Sequence, residues 1–199
     1  SDPSRGLGDV YKRQEINNEN RFKKLMVKTL MGAESANKGH FQNVTIKAPF
    51  KGNHQLSFSL LNRILGNQIS PEPYGTLKNT QALNREIHSN YMYFGNDFYS
   101  SFSLERFETD YGIPGSPEGH INGVDISMYR NTQKFSFHKD ISISGFQTLD
   151  VDQRYIDYSH SESVTKDYYP SVILSHQILT LNAKLSGNQK TIGSLLCLL

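Results

Sequence analysis

The sequence predicts an all-β chain, an antiparallel transmembrane β-barrel segment of about eight or nine long strands lying as an open or partly curled sheet. Three observations predict it. Period-two alternation recurs along segments rich in β-branched and aromatic residues, and sustained helical periodicity is missing. These segments exceed the about 5–6 residues of an ordinary strand and reach the about 9–11 that a tilted strand needs to cross a bilayer. Their connections alternate between tight turns and long loops, the asymmetry of membrane β-barrels.

In chain order, strands are expected over residues 22–34, 39–50, 54–65, 80–94, 98–110, 124–137, 146–161 and 169–182, with a ninth beginning near Thr191. Lys51-Gly52-Asn53 and Gly95-Asn96-Asp97 read as tight turns, because Gly, Asn and Asp tolerate positive φ. Between them, Gly66 to Asn79 reads as a long loop whose Pro71 and Pro73 cannot donate ladder hydrogen bonds. A second long loop runs from Tyr111 to Gly123 and carries Gly112, Pro114, Gly115, Pro117 and Gly119. Two connections depart from the alternation. Ala36-Asn37-Lys38 is short on the long-loop side, and His138 to Gly145 reads as a longer loop on the short-turn side.

Face assignments follow from the pleat, which points successive side chains to opposite sides. Over 80–94, one face reads Leu83, Arg85, Ile87, Ser89, Tyr91 and Tyr93, and the other Asn84, Glu86, His88 and Asn90. The second set suits a wet lumen. Arg85 on the lipid side would cost about 2–4 kcal/mol at the midplane and about 0–1 near an interface, which sets it near the rim. Tyr91, Tyr93, Phe94, Phe98 and Tyr99 flank the Gly95 turn and suit either an interfacial girdle or ordinary cross-strand packing. The segment 146–161, with Asp150, Asp152 and Arg154 on one face, alternates less cleanly.

Composition sets bounds on function. The 199 residues carry a net charge of +2, with 11 Tyr, 11 Phe and no Trp. No basic stripe points to nucleic acid, and no apolar run reaches the about 18 residues of a spanning helix. Residues 1–14, through Gly6-Leu7-Gly8-Asp9-Val10-Tyr11-Lys12-Arg13-Gln14, resemble a translated transposase sequencing tag, and so do Cys197-Leu198-Leu199. Both stretches are expected to be non-native, leaving 15–196 as a partial barrel domain without cysteine. That domain would hold no disulfide, thiolate metal site or cysteine nucleophile.

No enzymatic constellation emerges, and neither a catalytic residue nor a cofactor is expected. The seven histidines are scattered without close metal-ligand spacing, so no metal site is expected. His120, flanked by Glu118 and Asp125 in the Gly/Pro loop, is the best ligand-binding candidate, against the plainer reading of a solvated loop residue. Asp150 and Asp152 share a face and suit an acid–base pair, a calcium ligand set or simple lumen lining. His160-Ser161-Glu162 lists triad-like residue types, but strand neighbours point to opposite faces.

Tyr111-Gly112-Ile113-Pro114-Gly115, preceded by Ser103-Leu104-Glu105-Arg106-Phe107-Glu108-Thr109-Asp110, resembles the middle of the barrel of TonB-dependent outer-membrane receptors. Gly119-His120 followed by Val124-Asp125-Ile126-Ser127-Met128, and upstream Gly75-Thr76-Leu77-Lys78-Asn79-Thr80, resemble the same family, as does Tyr155 to Glu162. Thr165-Lys166-Asp167 stands where that resemblance leads one to expect a longer Gly-rich loop. The resemblance implies a barrel of about 22 strands around a plug, in the outer membrane of a Gram-negative bacterium. It implies active uptake of a scarce nutrient: an iron-siderophore, haem, cobalamin or a metal ion. The implied partners are outer-membrane lipid, a small-molecule or metal-chelate ligand, and an energising TonB-type protein acting through a plug outside this segment. Tyr111, Glu118, His120 and Asp125 are the expected ligand contacts, while Gly112, Pro114 and Gly115 read first as turn chemistry. Two other readings stay open: a β-sandwich adhesion or carbohydrate-binding module, and a passive porin.

Overall fold

Strands of alternating polarity joined by Gly- and Asn-bearing turns assemble here into one antiparallel sheet in which every strand pairs with its sequence neighbours. The structure, a computed structural model, describes residues 21–73, 75–165, 170–187 and 191–192. The expected tags at 1–14 and 197–199, and Lys166 and Asp167, lie outside the described residues.

The strands are β1 (Met26–Glu34), β2 (Gly39–Phe50), β3 (His54–Leu65), β4 (Ala82–Phe94), β5 (Phe98–Ile113), β6 (Val124–Ile143), β7 (Phe146–Val164), β8 (Val172–Ser186) and the two-residue β9 (Thr191–Ile192). No helix occurs among the described residues, and β1 does not pair with β8 or β9, so the sheet is not closed. The sandwich reading required two packed sheets of short strands; the described residues form one sheet, whose eight longer strands run from 9 to 20 residues.

Three sequence expectations are corrected. Tyr111, Gly112 and Ile113 are not loop residues but the last three of β5, paired with Ile126, Asp125 and Val124. Residues 138–145 are not a loop either: β6 continues to Ile143, and Ser144 and Gly145, at φ 51° and 86°, make a tight turn into β7. Polar residues such as Lys139 and Asp140 in the last turns of β6 hid that continuation. The first strand begins at Met26, not residue 22. Arg21 instead crosses to the β2–β3 turn, donating from Nη2 to the Gly52 carbonyl at 2.5 Å and to Asn53 Oδ1 at 2.6 Å. With 138–145 reassigned, the connections at 51–53, 95–97 and 144–145 are all short. They share one rim, and the loops 66–81 and 114–123 share the other.

The two faces differ. Ile46, Phe58, Leu56, Ile87, Tyr91, Phe102, Leu104 and Phe135 are all exposed, and the registers place every one of them on the same face. Gln55, Met92, Phe94, Ser101, Thr109, Ile126 and Thr132 are buried, and all lie on the opposite face. A flat single sheet would cover neither face. Arg21, whose guanidinium stands 5.3 Å from the Phe94 ring, and Phe22, whose carbonyl accepts from Gln55, cover one end. The buried Thr109, Ile126 and Thr132 lie on the same inner face, on β5 and β6.

Along the short-turn rim, the outer face carries a row of rings. Phe50, His54, Tyr93, Phe98 and Phe137 stand in sequence across β2 to β6, with centroid separations of 6.4, 4.9, 5.6 and 5.8 Å. Each such contact adds about 0.5–1.5 kcal/mol beyond simple area burial.

Polarity does not hold along the whole strand. In β5 the outer face reads Phe98, Ser100, Phe102 and Leu104, then changes to Arg106, Glu108, Asp110 and Gly112. The row Leu104–Gln133–Tyr155–Leu179 is followed by Arg106–Asn131–Asp157–Gln177. The inner face changes the opposite way. Ser101–Ser136–Asp152–Asn182 and Ser103–Lys134–Arg154–Thr180 give way to Thr109–Met128–His160–Leu174, Tyr111–Ile126–Glu162–Val172 and Ile113–Val124–Val164. This exchange is why 146–161 alternates poorly as a sequence: its phase switches within the strand.

Candidate functional site at the long-loop rim

The long-loop rim is organised by Asn79, at the end of the Gly66 to Asn79 loop with φ 57°. An Asn tolerates this left-handed backbone better than most residues. Its amide Nδ2 donates to the carbonyls of Ile113 at 2.8 Å and Val124 at 3.1 Å, and to Thr165 Oγ1 at 3.0 Å. Its Oδ1 accepts from Gln81 Nε2 at 3.1 Å. One side chain thus ties together the ends of β5, β6 and β7.

Two glycines make room for it. A Cβ on Gly112 would fall against the Asn79 amide, and one on Gly123, at φ 87°, would strike the Ile113 carbonyl and Asn79 Nδ2. Tyr111-Gly112-Ile113 and Gly75 to Thr80, read separately in the sequence, are therefore two halves of one contact. The loop is also fastened at its other end, where Gly66 N–H donates to the Asn37 carbonyl at 2.9 Å and Ile69 N–H to Ala36 at 3.0 Å. The short Ala36-Asn37-Lys38 turn is thereby built into the long-loop rim. Beside it, Arg63 of β3, which pairs with Phe41 of β2, reaches diagonally to Glu34 of β1 at 2.5 Å. Hydrogen bonds from Arg63 and then Asn37 hold the Glu34 carboxyl below its ordinary value.

The four expected ligand contacts do not converge. Tyr111 lies on the inner face of β5, and Asp125 on the outer face of β6 opposite Gly112. Glu118 and His120 are exposed in the 114–123 loop. His120 works through its backbone: its carbonyl accepts from Ser116 N–H at 3.3 Å and Gly123 N–H at 2.9 Å. Gly115 packs against the Ile121 carbonyl, so within Tyr111–Gly115 the glycines make close backbone approaches. Among the described residues, no group of three or more His, Cys, Asp or Glu could hold a metal ion.

Along the inner face below the exchange, several charged groups are paired. Glu105 takes Arg130 at 2.7 Å and Lys134 at 3.9 Å, and His138 Nδ1 stands 2.6 Å from Asp150 Oδ1. Asp152 accepts from Ser136 Oγ at 2.7 Å, so the two aspartates serve separate cross-strand partners. Gln55 Oε1, Asn90 Oδ1, Thr132 Oγ1, Arg130 Nε and Asn182 Oδ1 have no hydrogen-bond partner among the described residues, and all five belong to the inner face. Buried polar atoms are normally satisfied, which marks this face as one built for polar neighbours.

Near the rim the inner face is different. Tyr111, Ile113, Val172 and Leu174 are 37%, 44%, 42% and 57% exposed. Leu174 lies directly opposite His160 and Val172 opposite Glu162, while Tyr111 and Ile113 stand two strands away on β5; His160 faces Glu162 Oε1 at 3.1 Å and Tyr158 OH at 3.3 Å, and the His176 ring lies 4.8 Å from Tyr158. Sequence reading found Tyr111 here but missed the group, whose signal was the mid-strand change of phase. It also missed Asn79, whose only signal was an Asn in a loop.

No family model matches the chain, and a search of the curated proteins finds no match. What the fold and rim define is a class of architecture, one unclosed antiparallel sheet with an apolar belt on one face and two unlike rims.

Proposed function

We propose that this chain is part of the barrel wall of a TonB-dependent outer-membrane receptor, which takes up a scarce nutrient bound by its long loops. The observation that carries the reading is the outer belt. A single-layer sheet that exposes Phe58, Ile87, Phe102, Leu104 and Phe135 on one face while setting serines and ion pairs on the other matches lipid outside and water or polar protein inside. The ring row at the short-turn rim suits the interfacial girdle of such a wall. Strand length agrees: β6, with 20 residues, would run about 65 Å at about 3.3 Å per residue, well beyond one crossing. Its excess lies beyond the belt on the long-loop side, where the outer face turns polar.

The family-level part of the proposal rests on the quoted Tyr111–Gly115 and Gly75–Thr80 segments, which the fold joins through Asn79. A passive porin would share the wall and lack a plug and an energising partner. The test begins with the chain alone: it should aggregate in water, because its edges and belt are uncovered, and refold only in detergent micelles. A monomeric, cooperatively unfolding product in plain buffer would refute the membrane assignment. Recovering the flanking reading frame tests the receptor: an upstream plug-like domain supports it over the porin.

A further inference from the structure

The chain holds one Asn-Gly step, Asn122-Gly123, at the end of the 114–123 loop. Asparagine side chains are chemically labile, and a following glycine makes them most so. Glycine has no Cβ to keep its amide nitrogen away from the preceding side chain, and its backbone turns freely into the geometry of attack. Asn122 is exposed, and its side-chain amide makes no hydrogen bond among the described residues. No other residue fits at 123: φ is 87°, and a Cβ would strike the Ile113 carbonyl and Asn79 Nδ2. The glycine that admits the Asn79 clamp is therefore the one that makes Asn122 reactive.

The folded rim restrains the reaction. Gly123 is buried, its N–H donates to the His120 carbonyl at 2.9 Å, and its own carbonyl accepts from Thr165 N–H at 3.0 Å. The next carbonyl, that of Val124, accepts from Asn79 at 3.1 Å. To reach Asn122 Cγ, the Gly123 nitrogen must leave His120 and its peptide must turn, which the Thr165 and Asn79 bonds oppose. We infer that Asn122 is a site of spontaneous covalent modification gated by the Asn79 clamp, and that its modification permanently unlocks the long-loop rim. The Gly123 nitrogen bonds to Asn122 Cγ, and the bond from Cγ to the side-chain nitrogen breaks. That nitrogen leaves as ammonia, carrying the proton lost from Gly123. Water then opens the cyclic imide. Attack at Cγ gives aspartate, whereas attack at the backbone carbonyl carbon gives isoaspartate, whose chain runs through Cβ and Cγ and is one methylene longer. The longer chain cannot hold Gly123 against His120 and Thr165 together, so the Asn79 amide loses its seat. The same chemistry holds whatever medium the belt faces.

The full chain, refolded in detergent micelles, would be aged at neutral and mildly alkaline pH beside the same chain held unfolded in urea. Peptide mapping by mass spectrometry reads each asparagine, and an isoaspartate methyltransferase labels the isoaspartate. In urea, Asn122 should convert before every other asparagine, and faster in alkali. In the folded chain it should convert about tenfold more slowly, because only locally opened molecules react. Asn79→Ala should restore most of that factor. Thr165→Val, which removes one acceptor of the Asn79 amide and keeps the backbone bond to Gly123, should restore part of it. Asn53 and Asn96, at the short-turn rim, should not speed up; if Asn79→Ala unfolds the sheet they will, and Thr165→Val then decides. Hydrogen exchange should find Gly123 and Thr165 unprotected in isoaspartate-bearing chains and protected in Asn122→Asp, which carries the charge without the longer backbone. Equal rates in urea and in the fold, or no acceleration in either variant, overturn the gate. Another asparagine converting first in urea overturns the site, and an isoaspartate chain with Thr165 still protected overturns the unlocking. A chain that folds in plain buffer, which would refute the membrane assignment, is aged there and faces the same outcomes.

Discussion

The two rims of this sheet hold together by opposite means. At the short-turn rim, five rings from Phe50 to Phe137 touch in file on the outer face, and the cohesion is apolar and additive. At the long-loop rim a single amide, Asn79, shares its two N–H groups among three acceptors, on β5, β6 and the residue after β7. A ring row tolerates small displacements because each contact is short-ranged and independent. An amide clamp does not, since losing one side chain removes its hydrogen bonds to two strands and to Thr165 at once. The difference teaches that a sheet can have one end that is robust by repetition and one that is specific by geometry, and the two long loops hang from the specific end.

That comparison can be broken in order of expected effect. On the barrel reading, Phe102→Arg, on the outer face near the middle of the belt, should cost about 2–4 kcal/mol of stability in the detergent-refolded chain, whereas Ser159→Arg, on the same face beyond the exchange, should cost about 0–1. Equal costs in urea titrations would erase the distinction between the two ends. Asn79→Ala should cost about 2–3 kcal/mol, from about 1 kcal/mol per hydrogen bond lost. Hydrogen exchange should locate the damage at Gly112, Gly123 and Thr165 and spare the turn at Gly95. Uniform loss of protection would mean that Asn79 is not a local clamp. Tyr93→Ala should cost about 1–2 kcal/mol by removing its contacts with His54 and Phe98, and the exchange pattern should be the reverse. The smallest effect is electrostatic. Glu34 at the rim has its carboxyl pKa lowered chiefly by Arg63, so its contribution is present above the ordinary carboxylate value and is lost as pH falls through the depressed one. Arg63→Gln should abolish that acid-side loss, as read from unfolding midpoints between neutral and acid pH.

Much of the fold was legible because period-two alternation and Gly/Asn turns are local signals. β2 and β3 match the expected bounds of 39–50 and 54–65, and the turn at Gly95 falls where its residues put it. The extension of β5 to Ile113 and of β6 to Ile143 was hidden. Gly112 argued for a loop when its real role is to admit Asn79, and charged residues near Asp140 looked like a connection. The candidate site was less legible still. Tyr111 and Asp125 are both close to the Gly/Pro loop in sequence, yet strand parity sends them to opposite faces. Parity is local, and the phase exchange shows in one strand only as the poor alternation of 146–161; that it runs across β5 to β8 emerges when the four strands are aligned side by side.

The strictly sequential strand order described above has a kinetic consequence. In such a meander each hairpin can zip onto the last with short loop closures, which is the fast route to an antiparallel sheet. Asn79 stands apart from that scheme. Its bond to Thr165 spans 86 residues and can form only after β4 to β7 are in register. The clamp therefore acts as a checkpoint on assembly: a wall with one hairpin slipped would still zip, but its long-loop rim would not lock.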